Sequence, residues 1–350
     1  MASQTSNLSK SPQMVIKANS CRNEDQINRI RNRLNDLYVM FLSLIFVFLL
    51  STSIAPPSLA AAAASCHPDD ARALLELKKS FGNPPALASW GNASVDCCFK
   101  DFIRCDVVGG RITNLVIGDD AGLSGRISPS IARLAALSYV VILQNPNLTG
   151  PIPASIGKLS NLTTLRLLAN PRLSGPIPPS ICVLPKLTNL DLSGNSLTGS
   201  IPDCIGKKLT RLSWIFLDRN QLTGPIPRSL GDSPVPIIGL GSNRLTGDAS
   251  FLFGEKKGTE WIDLSNNQLD FDLSNVRFPL RLTGLILNNN RIYGRIPPQI
   301  SKLGRIVFFN ASYNSLCGPV PTAGFMKIFD ASAFEHNKCL CGGPLKPCPP

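Results

Sequence analysis

The sequence has few nitrogen ligands for metal ions, and the apolar run near its N-terminus is short. It contains only two histidines, His67 and His336, and its cysteine spacings are poor matches to zinc sites. The apolar run, residues 37–50, has 14 residues, fewer than the roughly 20 that a membrane-spanning helix needs. We therefore predict no metal site, no cofactor and no membrane span in the mature chain.

The same apolar run completes the pattern of a secretory signal. It follows a polar stretch with six basic residues, and small residues cluster after it at residues 60–65. A basic region, an apolar region and a small-residue cleavage site follow one another in this order in export signals. We predict an export segment over residues 1–64, cleaved near residues 61–65, and a mature chain that is secreted to the extracellular space. A later translation start at Met14 and an uncleaved anchor are the alternatives.

Acidic residues are in the minority. The chain has 35 lysines and arginines against 23 aspartates and glutamates, and 29 against 20 remain without residues 1–64, so the mature chain carries +9. No basic run with interleaved aromatic residues is present, which argues against a nucleic-acid partner. For a secreted chain we expect an acidic wall polysaccharide as the counter-charge. The alternative is that the charge serves solubility alone.

A repeated stretch organises the rest of the chain. Its clearest copy is LTNLDLSGNSLTGSIP, residues 187–202. Leu187, Leu190 and Leu192 frame a strand with one buried face, since successive strand side chains point to opposite faces. An asparagine closes the strand, because an inward amide can bond the backbone of its own turn and of the next copy. The closing residues are Asp120, Asn145, Asn170, Asn195, Asn220, Asn243, Asn267, Asn290 and Asn314.

The closing residues are 23 to 25 positions apart, which identifies a leucine-rich repeat. We predict an α/β solenoid, a right-handed leucine-rich-repeat superhelix with a concave parallel β-sheet, a convex side of short 3-10 or α helices, and disulfide-tied caps. About nine repeats plus a degenerate tenth fill residues 112–321. An N-terminal cysteine cap, residues 65–111, and a C-terminal cysteine cap, residues 322–350, flank them. In the first cap, Asp69 or Asp70 is predicted to cap a helix that ends at Gly82.

Cysteines cluster at the two ends of the predicted solenoid. Disulfides there would tie down the caps that cover its open apolar ends, in an oxidising compartment. The eight clustered residues are Cys66, Cys97, Cys98, Cys105, Cys317, Cys339, Cys341 and Cys348. Cys182 and Cys204 lie in adjacent repeats, where we weigh a bridge equally against two buried thiols.

One face of the predicted sheet carries aromatic residues. The outward strand positions, counted from the closing residues, hold large rings that are costly to expose unless a partner buries them. The alternative is that neighbouring aromatic residues only cover one another along the sheet. We predict a partner-binding concave face formed by Tyr139, Val141, Arg166, Asp191, Ser193, Trp214, Phe216, Asp218, Trp261, Asp263, Asn288 and Phe308.

Three acidic residues on that face, Asp191, Asp218 and Asp263, could be compared with the paired carboxylates of glycosidases. Acid catalysis needs a cleft that separates the carboxyl pKa values, whereas these residues are predicted to lie on an open face without a lid. We therefore predict no catalytic residues and no enzymatic activity. We interpret the three carboxylates as a solvated acidic strip.

Four N-glycosylation sequons follow the export segment, at Asn92, Asn147, Asn161 and Asn310. Asn310 differs from the others because it is predicted to face the concave surface. A glycan there would block the C-terminal end of the groove.

The motif GxIPxx(I/L) is typical of plant extracellular leucine-rich repeats, and residues 66–350 resemble plant polygalacturonase-inhibiting proteins. The segments that carry the resemblance include ALLELKKSFGNP, LNNNRIYGRIP, YNSLCGPVP and NKCLCGGPLKPC. The resemblance implies a second, shorter sheet on the flank of the coil. It also implies four bridges: Cys66–Cys97, Cys98–Cys105, Cys317–Cys339 and Cys341–Cys348.

The resemblance further implies a cell-wall glycoprotein of plant defence that is not an enzyme. Such a protein binds fungal polygalacturonases with its concave face, obstructs their pectin cleft and can bind pectin itself. Asp191, Ser193 and Asp218 match polar positions of the family's binding face. Four aromatic residues of the same face do not match: Trp214, Phe216, Trp261 and Phe308. Cys182 and Cys204 exceed the family's usual eight cysteines.

The alternative function is a secreted recognition protein that binds a peptide or a receptor ectodomain in signalling or development. A receptor itself is not expected, since the chain ends at Pro350 directly after its cap. Ice binding is suggested by a ladder of short polar residues, which breaks at Asp270 and Tyr293. Each ladder residue directly precedes a turn glycine, and this position explains the ladder sufficiently. Its members are Thr149, Ser174, Thr198, Thr223 and Thr246.

Overall fold

A computed structural model describes residues 66–91, 96–118 and 122–350 of the chain. The predicted export segment, Asn92 and Asp120 lie outside these described residues. Within them, no helix has both the length and the apolar character needed to span a lipid bilayer.

Short strands dominate the secondary structure. In chain order they are β1 (Ile103–Cys105), β2 (Ile112–Ile117), β3 (Tyr139–Leu143), β4 (Thr164–Leu168), β5 (Ser174–Pro176), β6 (Asn189–Asp191), β7 (Ser196–Gly199), β8 (Trp214–Phe216), β9 (Gln221–Pro225), β10 (Ile237–Gly239), β11 (Arg244–Gly247), β12 (Trp261–Asp263), β13 (Gln268–Leu269), β14 (Gly284–Ile286), β15 (Tyr293–Gly294), β16 (Phe308–Asn310), β17 (Ser315–Pro319) and β18 (Cys339–Cys341).

The helices are short, apart from the first. The α-helices are α1 (Pro68–Ser80), α2 (Cys204–Lys208) and α3 (Arg228–Asp232). The 3-10 helices are Pro85–Gly91, Cys97–Phe99, Pro129–Arg133, Ala154–Lys158, Pro179–Val183, Ser250–Leu252, Pro298–Lys302, Gly324–Ile328 and Ala331–Ala333.

Ten strands form one sheet in the order β1-β2-β3-β4-β6-β8-β10-β12-β14-β16. Only β1 is antiparallel to its neighbour; from β2 to β16 every pair is parallel. Each coil of the chain supplies one strand, and we call it a rung, numbered from the closing residue Asp120 as rung 1. The α/β leucine-rich-repeat fold is thereby confirmed. The side of this sheet that points away from the core is called the concave face below.

A second sheet lies along the flank, as the resemblance implied. Five strands pair in the order β13-β11-β9-β7-β5, and three more in the order β15-β17-β18. A single parallel bridge between Asp272 and Tyr293 lies between these two groups. The core runs between the sheets and the convex helices, with Leu190, Leu192 and Leu197 of rung 4 fully buried.

The closing asparagines form a ladder of hydrogen bonds from rung to rung. The Asn195 side-chain amide donates to the backbone carbonyls of Leu167 and Leu192, and its Oδ1 accepts from the backbone N of Asn170 at 3.0 Å. From rung 5 onward the backbone donor lies two residues later in the preceding rung, so Asn220 Oδ1 accepts from Leu197 N and not from Asn195 N. The shift follows the sequence, because rungs 2 and 3 have one more residue than rung 4 between the closing asparagine and the next leucine. The ladder therefore uses both the donor and the acceptor ends of each amide.

The first helix is capped differently from the sequence prediction. His67, not Asp69 or Asp70, is the N-cap, and its Nδ1 accepts from the backbone N of Asp69. Asp70 is fully buried and receives the Arg111 guanidinium through two hydrogen bonds, of 3.0 and 2.8 Å. The Asp70 carboxylate also accepts from the backbone N of Ile112 at 2.8 Å. This carboxylate thus joins α1 to the first parallel strand.

The described part of the chain contains five disulfides. The four bridges implied for the caps are confirmed: Cys66–Cys97, Cys98–Cys105, Cys317–Cys339 and Cys341–Cys348. A fifth joins Cys182 to Cys204, with a Cα–Cα distance of 5.8 Å, so the bridge and not the pair of thiols is correct.

The position of this fifth bridge follows from the packing of neighbouring rungs. In the helical segments, a glycine of one rung lies under a serine of the next: a Cβ on Gly157 would come within 2.8 Å of Ser180 Cβ. The pair Gly206 and Ser229 repeats this close approach. Cys182 occupies the glycine position and Cys204 the serine position of the same two columns. The two cysteines are therefore as close as a disulfide requires.

Removing the fifth bridge is expected to destabilise the middle of the solenoid. The bridge closes a loop of 22 residues, which in the chain-entropy model corresponds to about 3 kcal/mol. Cys182→Ala with Cys204→Ser should therefore unfold at lower urea concentration than the parent chain in non-reducing buffer. The matched variant Cys182→Ala with Cys204→Ala should lose slightly more, because neighbouring serine hydroxyls donate to the previous rung, as Ser229 does to Asp203. Equal midpoints for parent and variants would contradict this account.

Candidate functional site: the concave face

The predicted partner-binding residues share one face of the ten-stranded sheet. Strand register aligns them in columns that cross the rungs. The first column contains Tyr139, Trp214, Trp261 and Phe308. The second column contains Val141, Arg166, Asp191, Phe216 and Asp263. The third, two residues further along each rung, contains Ser193, Asp218 and Asn288.

Two aromatic side chains of rung 5 form what we call the central aromatic pair. The ring centroids of Trp214 and Phe216 are 5.4 Å apart. The guanidinium carbon of Arg166 lies 5.8 Å from the Trp214 ring centroid, within cation–π range. The Phe216 ring extends over Gly239 of rung 6, where a Cβ would come within 2.5 Å of it. The pair is thus held in place by its neighbours while remaining half-buried.

Trp261 and Phe308 form a second cluster, the C-terminal aromatic pair. Their ring centroids are 5.3 Å apart, in an edge-to-face arrangement. Trp261 reaches Phe308 across rung 8 because that rung has Gly284 in the same column, and a Cβ there would come within 2.1 Å of the indole. Phe308 keeps 39% of its surface exposed. The rings therefore cover glycine gaps in the sheet and still present apolar surface to solvent.

Asp191 is a buried carboxylate, not an exposed one. It is only 5% exposed, and its Oδ1 accepts from both the backbone N and the hydroxyl of Ser193, at 3.1 and 2.6 Å. Arg166 Nε lies 3.5 Å from Asp191 Oδ2. Burial raises the pKa of Asp191, and the bonds from Ser193 and the charge of Arg166 oppose that rise. The three side chains form one polar group beside the central aromatic pair.

Asp218 lies in a notch made by two glycines of rung 6. Its Oδ1 accepts from the backbone N of Gly241 at 2.8 Å, and its Oδ2 lies 2.5 Å from where a Cβ on Gly239 would be. Asp263 Oδ1 lies on the other side of Gly241, where it accepts from Ser265 N at 2.8 Å. Burial, and then the nearby Asp263 carboxylate, raise the pKa of Asp218 well above its ordinary value.

The predicted solvated acidic strip is therefore wrong for Asp191, which is buried, and Asp218 is half-buried and not fully solvated. The physical reason is that serine and glycine neighbours let these short side chains fold onto the sheet, where they lose part of their water. Their pKa values are raised by this desolvation, which structural carboxylates also undergo and which is not by itself a mark of catalysis.

Replacing Asp218 by asparagine is expected to raise the melting temperature at pH 7, by about 2–4 °C for each 1 kcal/mol gained. A carboxyl whose pKa is raised on folding stabilises the fold below its unfolded pKa, and that stability is lost as the pH rises through the folded pKa. Asparagine keeps an acceptor for Gly241 N without the charge. The gain should disappear below about pH 3, where Asp218 is protonated in both the folded and the unfolded state.

Asp203→Asn is the control for this change, because the Lys207 ammonium lowers the pKa of Asp203. That variant should gain nothing at pH 7. Calorimetry at both pH values makes the comparison, and a gain for Asp218→Asn that is the same at low pH would contradict the stated cause.

The cysteines of the N-terminal cap offer no thiolate for a metal. Two groups of ligand atoms there lie within 4.8 Å of one another, Cys97–Cys98–Cys105 and Cys66–Asp96–Cys97. All of their sulfurs are in disulfides. The Asp96 carboxylate accepts from the backbone N of Cys66 and of Cys98, at 2.8 and 2.9 Å.

Sequence reasoning missed one ladder residue and the packing role of the glycines on the concave face. Asn337 continues the ladder into rung 10, since its Oδ1 accepts from Leu316 N and its amide donates to the carbonyls of Ala311 and Phe334. It lies 23 residues after Asn314, so the repeat spacing itself could have found it. Gly239, Gly241 and Gly284 interrupt the outward columns. The register counted from the closing residues already puts Gly239 and Gly284 in those columns, but it does not show that large or acidic neighbours pack over them.

Two family descriptions match parts of the chain. Residues 67–106 match "Leucine rich repeat N-terminal domain", and residues 186–208 and 281–303 match "Leucine Rich Repeat". Among curated proteins, Polygalacturonase inhibitor 2 of Arabidopsis thaliana is 48% identical over 86% of this chain and 97% of its own length. Polygalacturonase inhibitor of Pyrus communis is 46% identical over 88% of this chain and 98% of its own length.

Solved structures with the same fold include a plant ice-binding protein. It is 39% identical, with a TM-score of 0.69, and covers 81% of this chain and 99% of its own. The leucine-rich-repeat ectodomain of the receptor kinase GASSHO1/SCHENGEN3 from Arabidopsis thaliana, in complex with CASPARIAN STRIP INTEGRITY FACTOR 2, is 29% identical with a TM-score of 0.66. The match covers 76% of this chain and 32% of that ectodomain, so this chain spans about a third of its length.

Proposed function

Because this chain belongs to the polygalacturonase inhibitor family of plant leucine-rich-repeat proteins, we propose that it binds fungal polygalacturonases through its concave face and thereby inhibits them in plant defence. The observation that carries the inhibitory function is the identity to named inhibitors over 97–98% of their length. The two aromatic pairs support the concave face as the binding surface, since half-exposed rings fixed by their neighbours are favoured interface anchors. The protein itself is proposed to have no catalytic activity.

The direct test is an inhibition assay with a panel of purified fungal polygalacturonases. The secreted mature chain should slow the release of reducing ends from polygalacturonic acid with at least one enzyme of the panel. The complex should also form when the substrate is absent, because the proposed inhibitor binds the enzyme and not only the pectin. Failure with every enzyme of a broad panel would contradict the proposed function.

Binding to acidic pectin is a second, electrostatic part of the proposal. The charge of +9 outside residues 1–64 attracts a polyanion, and salt screens that attraction over about 10 Å at 0.1 M but about 3 Å at 1 M. De-esterified pectin beads should therefore retain the protein at low salt and release it at high salt. Methyl-esterified pectin is the matched control and should retain less. Retention that is independent of salt would contradict the electrostatic account.

A cell-wall location accompanies this proposal. Five disulfides suit an oxidising extracellular compartment, and attraction to pectin would keep the protein in the wall. Washing intact plant cell walls with salt should then release it.

Recognition of a peptide or a receptor ectodomain is the alternative function. It is favoured by the similarity to an ectodomain solved in complex with CASPARIAN STRIP INTEGRITY FACTOR 2. A pull-down with the mature chain separates the two, since secreted glycanases should be captured in the first case and peptides or ectodomains in the second.

Ice binding is a further candidate function, favoured by one solved structure of similar fold and by the ladder of short polar residues. The later four ladder residues lie within the flank strands β5, β7, β9 and β11, and Thr149 lies in an isolated parallel bridge. A structure of similar fold is an ice-binding protein. Thr149, however, uses its hydroxyl to donate to Gly125 O at 3.0 Å. An ice recrystallisation assay distinguishes this function from inhibition.

A further inference from the structure

We propose that Asn310 is an N-glycan acceptor, and that a glycan on it closes the C-terminal end of the concave face to a protein partner. The second part rests on the proposed binding through that face. The first part concerns only the modification.

The Asn310 side chain is held in a tight turn by one of its two polar atoms. Its Oδ1 accepts from the backbone N of Ser312 at 2.9 Å and from the Ser312 hydroxyl at 2.7 Å. The same turn occurs at Asp191 with Ser193 in rung 4. The remaining atom, Nδ2, makes no hydrogen bond within the described part of the chain and keeps some surface open to solvent. A covalent link to it therefore breaks no hydrogen bond of the fold.

The two other sequons in the described residues differ in place and in contacts. Asn161 Nδ2 donates to Ala135 O at 3.4 Å, and its Oδ1 accepts from Lys186 Nζ at 2.8 Å. Asn147 Oδ1 accepts from Arg172 Nη1 at 3.1 Å. Neither belongs to a strand of the ten-stranded sheet, whereas Asn310 ends β16. Asn310 thus combines an unengaged amide nitrogen with a position on the concave face.

The modification is a group transfer from a polyprenyl-pyrophosphate-linked oligosaccharide of the secretory pathway. Asn310 Nδ2 forms a bond to the anomeric carbon of the first sugar. The bond from that carbon to the pyrophosphate oxygen breaks, the pyrophosphate leaves with the electron pair, and Nδ2 loses one proton.

A glycan at this position would stand beside the C-terminal aromatic pair. Phe308 lies two residues before Asn310 on the same strand, and Ile286 is the strand partner of Asn310 in rung 8. The central aromatic pair is four rungs away, roughly 19 Å at the spacing of parallel strands. A partner that covers both aromatic pairs would be excluded by the glycan, while a partner confined to the first five rungs would not.

The test uses the chain secreted from plant cells with Asn92→Gln, Asn147→Gln and Asn161→Gln. Of the four sequons that follow the export segment, only the one at Asn310 then remains. Glycopeptide mapping should find the peptide of Asn310 carrying a glycan, and the same peptide should be modified in the parent chain. Occupied and unoccupied forms are then separated by mass. The unoccupied form should inhibit a sensitive polygalacturonase at least tenfold more strongly.

Two matched variants separate the glycan from the side chain. Ser312→Ala destroys the sequon but keeps Asn310, and Asn310→Asp keeps the turn, as Asp191 shows. Both should inhibit like the unoccupied form, and enzymatic removal of the glycan, which leaves aspartate, should restore inhibition. An unmodified Asn310, or equal inhibition by the two forms, would overturn the inference. If Asn310 carries a glycan and no form inhibits any enzyme, the acceptor stands and the proposed function fails.

Discussion

Trp214→Ala and Phe216→Ala are each expected to weaken inhibition of a sensitive polygalacturonase by about thirtyfold or more. Truncating a central aromatic anchor costs on the order of 2 kcal/mol or more, which corresponds to that factor. The two residues lie in rung 5, the middle of the solenoid, where the largest number of partner footprints would overlap. Binding would also complete the burial of rings that the fold leaves half-exposed.

The control variants lie outside the concave face. Arg228 begins α3 and stacks on Phe251 at 5.4 Å, and Val183 is a 57% exposed apolar residue at the end of a 3-10 helix. Arg228→Ala and Val183→Ala should leave the inhibition constant unchanged. Val183→Ala is the closer match, because it also removes exposed apolar surface.

Stability must be compared before the inhibition constants are interpreted. Trp214 supports Arg166, and Phe216 covers Gly239, so each truncation also removes contacts within the sheet. Trp214→Phe keeps an aromatic ring in contact with Phe216, and this variant should retain most of the inhibition. If inhibition survives both alanine substitutions and falls with Arg228→Ala, the concave face is not the binding surface.

The fold could be predicted from the sequence because its information repeats. Each rung carries the same alternation of apolar and polar residues, and the closing asparagine fixes the register, so an error in one rung is corrected by the next. Counting from the closing residues puts Trp214, Trp261 and Phe308 in one column, and the strand register confirms this placement.

The chemistry of the concave face could not be predicted from one rung at a time. Whether Asp218 is solvated depends on Gly239 and Gly241, which are 21 and 23 residues away in sequence and adjacent in space. The burial of Asp191 depends on Ser193 in its own rung and on Arg166 in the rung before it. A sequence motif predicts whether a carboxylate is exposed from its own position in the repeat. Its actual burial and pKa depend on residues of the neighbouring rungs.

The bridge between Cys182 and Cys204 shows the same limit. Within the repeat frame, the position of Cys204 is offset by two residues from that of Cys182. With this offset alone, a bridge was one of two possibilities. The columns of glycine and serine in the helical segments are offset by the same two positions, so the offset is what brings the pair together. Comparing Gly157 and Ser180 with the cysteines would have decided the question.

Asp70→Ala is expected to give the largest loss of stability, about 3–5 kcal/mol, because it breaks a buried ion pair by removing one partner. Asp70 is completely buried and accepts three hydrogen bonds, two from Arg111 and one from Ile112 N. Without it, the Arg111 guanidinium is left partly buried without its counter-charge, and a buried backbone N–H is left unsatisfied. The sequence could not show this, since a capping rule looks two or three residues ahead and Arg111 is 41 residues away.

The loss should be local to the N-terminal cap. Hydrogen exchange in the Asp70→Ala variant should accelerate first in α1 and in strands β1 and β2, because α1 is joined to the first parallel strand through this carboxylate. Rungs beyond the middle have two neighbours each and should keep their protection. Urea unfolding followed by far-UV circular dichroism gives the free energy, and exchange measured by mass spectrometry gives its location.

Three further variants identify the cause. Asp69→Ala should leave the unfolding midpoint almost unchanged, because its pair with Arg72 is exposed to solvent. Asp70→Asn keeps an acceptor for Ile112 N and should fall between the parent and Asp70→Ala. Asp70→Ala combined with Arg111→Ala should be less destabilised than the sum of the single changes, since the pair is then removed together. Additive losses, or a uniform rise in exchange over all rungs, would show that the pair does not hold the cap to the solenoid.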